Sequence, residues 1–329
     1  MGRLRAEIEA LGHCVDILSL PFRALPTESI AEAISQWREI DLRYYSGRPI
    51  DMVIATRFPS YVVSHPNKIT WLIHQHRQAY ELYGTRFGDL KPTSAADETL
   101  RRFILDADHR ALREAQRIYT ISQNVSSRLD RYLGLPSKVL EAPPPLLGSC
   151  YSGKFEDFIL CVVRLCSIKR VDLLIRAMPS VDDGLKLKIV GLADESSIEN
   201  YLKSEVDKHH LWHRVEFLGE IDTTTLLSLY SRAFAVFFAA YDEDHGFVSL
   251  EALASSRPVL TTLDSGGILQ YVEDGKNGLV LEPTEAKVAE GINKLWKDRD
   301  LHENLASGAG ELPELPSWPQ VARELCSAI

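Results

Sequence analysis

Residues 235–262 read AVFFAAYDEDHGFVSLEALASSRPVLTT, and this stretch contains one strand–loop–helix–strand unit. Two short apolar runs, Ala235–Ala239 and Val259–Thr262, flank a helical segment that follows Gly246. Neither run alternates with polar residues, which indicates strands buried on both faces of a parallel sheet. The stretch therefore predicts an α/β fold with ligand-binding loops at the carboxyl ends of its strands.

The same alternation of short apolar runs and amphipathic segments extends over nearly the whole chain, which predicts two doubly wound, Rossmann-like domains facing a central cleft. In the second half the predicted strands are Phe158–Leu165, Leu185–Val190, Val215–Leu218, Ala235–Ala239, Val259–Thr262 and Gly278–Leu281. In the first half they are Val15–Leu20, Asp51–Thr56, Ile69–His74, Ile118–Ser122 and Lys138–Glu141, with helices at Ser29–Ile40, Thr99–Ala115 and Asn124–Leu133.

Three consecutive prolines, Pro143 to Pro145, interrupt this alternation and predict the linker between the domains. We therefore expect an N-terminal, acceptor-side domain over 1–148, a C-terminal domain over 149–315, and a final helix over 316–329 that returns to the first domain. The chain begins inside what looks like a helix, Leu4–Leu11, so the usual first strand and glycine-rich loop of such a domain are missing from it.

Composition narrows the class of protein. The chain has 329 residues, of which 45% are hydrophobic and 25% charged, and these values are typical of a globular protein. The net charge of -9 argues against non-specific nucleic-acid binding. Five scattered cysteines without metal-ligand spacing predict free thiols in a reducing compartment. The apolar runs are too short to span a bilayer, so we expect a cytoplasmic protein with, at most, peripheral membrane contact through its N-terminal domain.

Charged side chains follow two of the predicted strands in the second half. Arg164 and Lys169 come directly after the first of these strands and could hold a diphosphate from two directions. Glu243 lies in the loop before the helix of the opening stretch, and Glu251 lies within that helix, with Asp244 as the expected N-cap. Arg164 and Lys169 are equally compatible with an ordinary charged loop. Glu243 could be solvated, and Glu251 could simply interact favourably with the helix dipole.

Glycines mark the points where a ligand could approach the backbone. Gly246 precedes the helix whose N-terminal amides could bind a phosphate or a sugar hydroxyl. Gly266 and Gly267 form a second such turn after Val259–Thr262, and Gly191 follows Leu185–Val190. Each of these signals is weak by itself.

Taken together and in order, R-L-x-x-x-K from Arg164, the E-x7-E of EDHGFVSLE from Glu243, EALASSRPVLTT and DSGG resemble glycosyltransferase family 4, the glycosyl transferases group 1, of the GT-B class. The resemblance covers about Phe158 to Trp296. It implies a retaining enzyme that moves a sugar from a nucleotide-diphosphate donor, most often UDP- or GDP-linked, to a hydroxyl of a glycan, a lipid-linked or a small-molecule acceptor. It implies no metal and no other cofactor.

The resemblance also assigns roles to residues. It implies that Arg164 and Lys169 neutralise the leaving diphosphate, that Glu251 holds the ribose, and that Glu243 lies beside the donor sugar. Further donor contacts are implied for Gly191, Leu218, Gly246, Phe247, Val248, Gly266 and Gly267. His74, at the end of ITWLIH, matches a histidine that acts near the donor in this family, and His76 is its competitor.

Departures from the family pattern leave other interpretations open. Val163 and Gln270 replace a usual glycine and a usual glutamate, and the segment after Gly191 lacks the common second glycine. With the missing first strand, these changes keep open a sugar-nucleotide-binding module with impaired catalysis. A different GT-B enzyme, such as a sugar-nucleotide epimerase, is the third interpretation.

Overall fold

A computed structural model of the protein describes residues 2–23 and 27–327. The chain divides into two compact units, each considered by itself. Unit 1 comprises Met1–Pro143 and Leu315–Ile329, and unit 2 comprises Pro144–Glu314. The sequence predicts domain boundaries between residues 148 and 149 and between residues 315 and 316, whereas the units divide after Pro143 and after Glu314.

The described residues form eleven α-helices. In chain order they are α1 (Gly2–Ala10), α2 (Glu28–Glu39), α3 (Ala95–Arg113), α4 (Gln123–Leu133), α5 (Val171–Ala177), α6 (Ser196–Lys208), α7 (Thr223–Arg232), α8 (Phe247–Ala254), α9 (Glu285–Lys297), α10 (Arg299–Ala309) and α11 (Trp318–Cys326).

The described residues also form twelve strands. In chain order they are β1 (Tyr44–Tyr45), β2 (Arg48–Pro49), β3 (Val53–Ala55), β4 (Lys68–Leu72), β5 (Arg117–Thr120), β6 (Lys138–Val139), β7 (Phe158–Val162), β8 (Lys186–Val190), β9 (Val215–Gly219), β10 (Ala235–Phe237), β11 (Val259–Thr262) and β12 (Gly278–Leu281).

Unit 2 is built on a six-stranded parallel sheet in the order β12-β11-β10-β7-β8-β9. Leu160 of β7 pairs with Val236 of β10, which in turn pairs with Val259 of β11. The strands that follow β7 in sequence first extend the sheet on one side, and β10 then continues it on the other side. The pair β7–β10 is therefore the switch point of a doubly wound sheet, where such folds bind ligands.

Three adjacent strands of this sheet, β7, β10 and β11, are buried, and for β10 and β11 the opening stretch predicts this burial. They are covered by helices, with α5 packed against α6 and α9, and α8 packed against α10 and β11. Because both faces of these strands are covered, their side chains need no polar alternation.

Unit 1 contains a four-stranded parallel sheet in the sequential order β3-β4-β5-β6. Sequence signals set the ends of its helices. The side chain of Ser122 accepts a hydrogen bond from the amide of Val125 at the start of α4, and Gly134 ends that helix with φ +62°. The final helix, α11, packs against α1 within the same unit.

One predicted strand is wrong. Residues 13–23 form no strand, although Val15–Leu20 has a favourable composition. A strand is stabilised by hydrogen bonds to a neighbour, and within the described part of the chain no strand pairs with these residues. Ile17 and Leu18 are consequently exposed.

Among the described residues, no helix combines the length and the apolar character that a membrane span requires.

Candidate functional site

An ion pair joins the two loops that leave the switch point of unit 2. Nζ of Lys169 lies 2.5 Å from Oε2 of Glu243, and both side chains are 16% exposed. Lys169 ends a short 3-10 turn, Ser167–Lys169, that follows β7, and its ammonium also lies over the ring of Phe238. The two predicted site residues that are 74 positions apart in sequence are thus direct neighbours.

Arg164, the other cation predicted to hold a diphosphate, lies at the surface of the same unit. Its side chain is 67% exposed, and Nη1 lies 3.1 Å from Oδ2 of Asp194. Exposed ion pairs of this kind contribute little stability, so the guanidinium can exchange Asp194 for a ligand anion at small cost.

The loop that carries Glu243 is held by backbone hydrogen bonds to the loop after β11. The amide of Glu243 donates to the carbonyl of Ser265 at 3.1 Å, and the amide of Gly267 donates to the carbonyl of Glu243 at 2.7 Å. Gly267 admits no side chain, because a Cβ there would lie 2.6 Å from the carbonyl oxygen of Asp244. Glycine at this position therefore allows the two loops to pack closely together.

Helix α8 begins directly after this loop. Gly246 is its N-cap, with φ +96°, a conformation that favours glycine. The predicted N-cap Asp244 is wrong, because the helix starts two residues later than that prediction required. Phe247 and Val248 occupy the first turn, where backbone amides have no partner within a helix and can bind an anion.

Glu251 lies in the second turn of α8 and is only 6% exposed. Its Oε2 accepts a hydrogen bond from the hydroxyl of Tyr230 at 3.1 Å. Burial raises the pKa of this carboxyl to about 7. A carboxyl that accepts from Tyr230 and from the backbone amide of Leu146 still has lone pairs for further donors, such as the hydroxyls of a ribose.

The remaining predicted glycines also lie at the carboxyl edge of this sheet. Gly191 has φ +130°, and a Cβ there would lie 1.8 Å from the carbonyl oxygen of Val163, so β7 and β8 require glycine at this point. Gly266 has φ +60° and forms an isolated bridge with Glu243.

A surface cavity of about 620 Å³ in unit 2 is lined in part by two of the predicted site residues, Gly191 and Leu218. Its walls include Leu165, Gly191, Trp212, Phe217 and Leu218. It combines apolar side chains with the backbone of the edge strand β9, which is a suitable environment for a flat, partly polar ring.

His74 and His76 belong to unit 1, whereas the other predicted site residues belong to unit 2. His74 follows β4, is half-buried, and its Nδ1 lies 2.8 Å from the carbonyl oxygen of Gln75. His76 is buried against Phe58, and burial lowers its pKa to about 4. His76 is therefore a neutral core residue, which leaves His74 as the histidine available for chemistry in this segment.

Sequence reasoning missed Arg170 and Asp264. Arg170 follows Lys169 directly, is 2% exposed, and forms a two-pronged ion pair with Asp264, with both N–O distances 2.8 Å. The signal that could have found them is positional, since Asp264 follows the buried strand β11 by two residues and Arg170 lies in the loop that leaves β7.

His245 was also missed. It is buried between Glu243 and α8, its ring lies 4.5 Å from that of Phe247, and its Nε2 lies 3.2 Å from the hydroxyl of Tyr271. Burial lowers its pKa to about 4, so the ring is neutral near pH 7. In residues 2–23 and 27–327, no three His, Cys, Asp or Glu side chains are grouped so that they could hold a metal ion.

Residues 152–311 match the model of the family described as Glycosyl transferases group 1. This segment is a glycosyl transferases group 1 domain. It contains every predicted site residue of unit 2, from Arg164 to Gly267. The predicted membership of the glycosyl transferases group 1 is confirmed for this segment, whereas glycosyltransferase family 4 and retention stay predictions.

Known relatives of this domain are also glycosyltransferases by name. The chain is 31% identical over 171 residues to an uncharacterised glycosyltransferase of Methanocaldococcus jannaschii, covering 51% of this chain and 43% of that protein. The chain thus spans less than half the length of this curated relative.

Solved structures resemble a larger part of the chain. The sucrose-phosphate synthase of Thermosynechococcus elongatus has a TM-score of 0.72 at 19% identity, over 95% of this chain and 80% of that one. An Anabaena protein solved with UDP and glucose has a TM-score of 0.60 at 16% identity, over 98% of this chain and 86% of that one. These likenesses confirm the predicted fold class, an α/β fold of the GT-B kind with parallel sheets.

Proposed function

We propose that the protein is a glycosyltransferase whose unit 2 binds a nucleotide-diphosphate sugar. The observation that carries this proposal is the Lys169–Glu243 ion pair at the switch point, followed in the next helix by the buried Glu251. One edge of the sheet thus offers a cation for a diphosphate, helix amides, and two carboxylates for hydroxyl groups.

Each part of the donor has a candidate partner in this arrangement. The diphosphate would lie against Lys169, Arg164 and the first turn of α8, and Glu251 would accept from the ribose. Glu243 would accept from a hydroxyl of the sugar once the ammonium of Lys169 turns to the phosphate. The base would enter the cavity beside Gly191 and Leu218. The similar Anabaena structure holds UDP, so a UDP-sugar is the first donor to test, with a GDP-sugar as the second.

The chemistry proposed for this donor is transfer with retention and without a metal ion. The bond between the anomeric carbon and the phosphate oxygen breaks, and a bond to the acceptor oxygen forms on the same face. The acceptor proton passes to the departing phosphate, whose charge Lys169 and Arg164 neutralise. His74 is the proposed catalytic side chain of unit 1. The acceptor is a hydroxyl of a glycan, a lipid-linked or a small-molecule substrate in polysaccharide synthesis.

Thermal melting with nucleotides tests donor binding. The protein is heated with UDP, GDP, ADP, dTDP or CMP, with and without EDTA. A ligand at 100 times its dissociation constant stabilises the fold by about 2.7 kcal/mol, which gives a measurable shift. We expect one diphosphate to raise the melting temperature equally with and without EDTA, and Lys169→Ala to remove that shift.

Lys276→Ala is the matched control, because Lys276 forms an exposed ion pair with Glu273 in the same unit. It should leave the nucleotide-induced shift unchanged. If no nucleotide raises the melting temperature, the donor assignment is wrong. If a nucleotide binds but its sugar derivative is neither transferred to acceptors nor hydrolysed, the chain is the binding module that the sequence left open.

A further inference from the structure

We propose that Arg170 and Asp264 position the donor site by tying together the three loops that form it, an inference that rests on the proposed function. Arg170 lies outside the sequence pattern that led to that function, and Asp264 is the first residue of its DSGG motif but had no role assigned. Arg170 is too deeply buried to touch a ligand, so its role is that of a positioning residue.

The guanidinium of Arg170 reaches all three loops. Its Nε donates to the carbonyl of Ala239 at 2.7 Å, and its Nη2 donates to Oγ1 of Thr262 at 2.7 Å. Nη1 and Nη2 each donate to one oxygen of Asp264 at 2.8 Å. One planar group thus connects the loops that follow β7, β10 and β11.

The hydrogen bonds of Arg170 and Asp264 also determine the positions of Lys169 and Glu243. Lys169 is the neighbour of Arg170 in the chain, so its backbone moves with the guanidinium. Asp264 is linked to the other loop, because its carbonyl accepts from the amide of Asp242 at 2.8 Å, directly before Glu243. Both members of the ion pair are therefore anchored to the hydrogen bonds around the buried guanidinium of Arg170.

The backbone of Arg170 supports a specific role. It has φ +53° and ψ +38°, a left-handed conformation that a residue with a side chain adopts at a cost. This conformation ends the 3-10 turn and immediately precedes α5. Strain of this kind persists where the surrounding contacts hold it in place, as the buried hydrogen bonds of the guanidinium do here.

If Arg170 had a purely structural role, replacing another buried arginine of unit 2 should affect nucleotide binding in the same way. Arg214 provides the comparison, because it is 5% exposed and forms an ion pair with Asp183 at 2.8 Å. It also donates to the carbonyls of Leu185 and Asp182, which precede β8. Its bonds lie at the amino ends of the strands, opposite the proposed donor site.

The experiment compares Arg170→Lys with Arg214→Lys in the full chain. Both variants keep the charge and lose the planar fork, so both should melt at lower temperature than the unchanged protein. We expect only Arg170→Lys to weaken binding of the active nucleotide diphosphate, by about tenfold or more, because small displacements of positioned groups have large effects. The inference is overturned if the two variants bind equally well, or if Arg170→Lys binds as tightly as the unchanged protein.

Amide hydrogen exchange without nucleotide separates this inference from the proposed function. Arg170→Lys should raise exchange at the amides of Glu243 and Gly267, which pair across the two loops, and Arg214→Lys should not. This measurement does not require a nucleotide to bind. Unchanged exchange in Arg170→Lys would refute the proposal that Arg170 holds the loops together. If Arg170→Lys does not fold, Thr262→Val removes the hydroxyl that bonds the guanidinium, Asp264 and Ser265, and it should give the same localised increase.

Discussion

At the scale of single residues, the site of unit 2 combines groups with different electrostatic surroundings. Glu243 is partly exposed and paired with Lys169, whereas Glu251 is buried and accepts hydrogen bonds from Tyr230 and from the backbone of Leu146. Burial disfavours the ionised form of Glu251 and raises its pKa to about 7. Glu251 is therefore only partly ionised near neutral pH.

The raised pKa of Glu251 predicts that donor binding depends on pH. An ionised Glu251 accepts hydrogen bonds from hydroxyls more strongly than a protonated one. We expect the affinity for the active nucleotide sugar to rise between pH 6 and pH 8, as the carboxyl ionises, and to rise less in Glu251→Gln. Calorimetric titration at several pH values measures both curves. Parallel curves for the two proteins would show that Glu251 does not contribute.

At the scale of elements, helix α11 lies far along the chain from the sheet that it supports. Oε1 of Glu324 accepts from the hydroxyl of Tyr119 in β5 at 2.9 Å and from Lys138 in β6 at 2.7 Å. The ring of Trp318 lies edge-on to that of Trp71 in β4. Helix α11 thus makes its side-chain contacts with the sheet of unit 1, and the predicted bounds of 316–329 stay a prediction.

Truncation of Leu325 measures what this helix contributes. Leu325 is completely buried on α11, so Leu325→Ala should lower the free energy of unfolding of unit 1 by about 2–5 kcal/mol. Arg323→Ala, on the exposed side of the same helix, should change it by less than about 0.5 kcal/mol. Denaturant titration compares the two. A loss at Leu325 no larger than the loss at Arg323 would mean that α11 does not stabilise the unit.

At the scale of the whole molecule, a buried carboxyl links the stability of unit 1 to pH. Asp108 of α3 is fully buried, and its Oδ2 accepts from the hydroxyl of Tyr80 at 2.6 Å. Besides burial, the groups that shift its pKa are the hydroxyls of Tyr80 and Tyr61, and neither is a cation. Burial raises the pKa of Asp108 from 3.8 to about 7.

The sign of the pH effect follows from proton binding. Between about pH 4 and pH 7 the folded protein holds a proton on Asp108 that the unfolded chain has released, so stability falls as pH rises. One such proton changes the free energy of unfolding by about 1.4 kcal/mol per pH unit. Asp108→Asn should remove this slope, and Asp106→Asn, on the exposed face of α3, should keep it. Chemical denaturation from pH 5 to pH 8 measures the slopes, and equal slopes would refute the assignment.

The sequence by itself determined the α/β class, most strands and helices, and the residues of unit 2 that line one edge of its sheet. It could do so because these features depend on local patterns, namely apolar runs, glycines at turns, and charged residues just after strands. Val15–Leu20 shows the limit of such patterns, because a strand also needs a neighbour. Only the tertiary structure decided that Lys169 pairs with Glu243 and that His76 is buried. The same holds for Arg170, which joins three loops, because these facts depend on which chain segments meet in space.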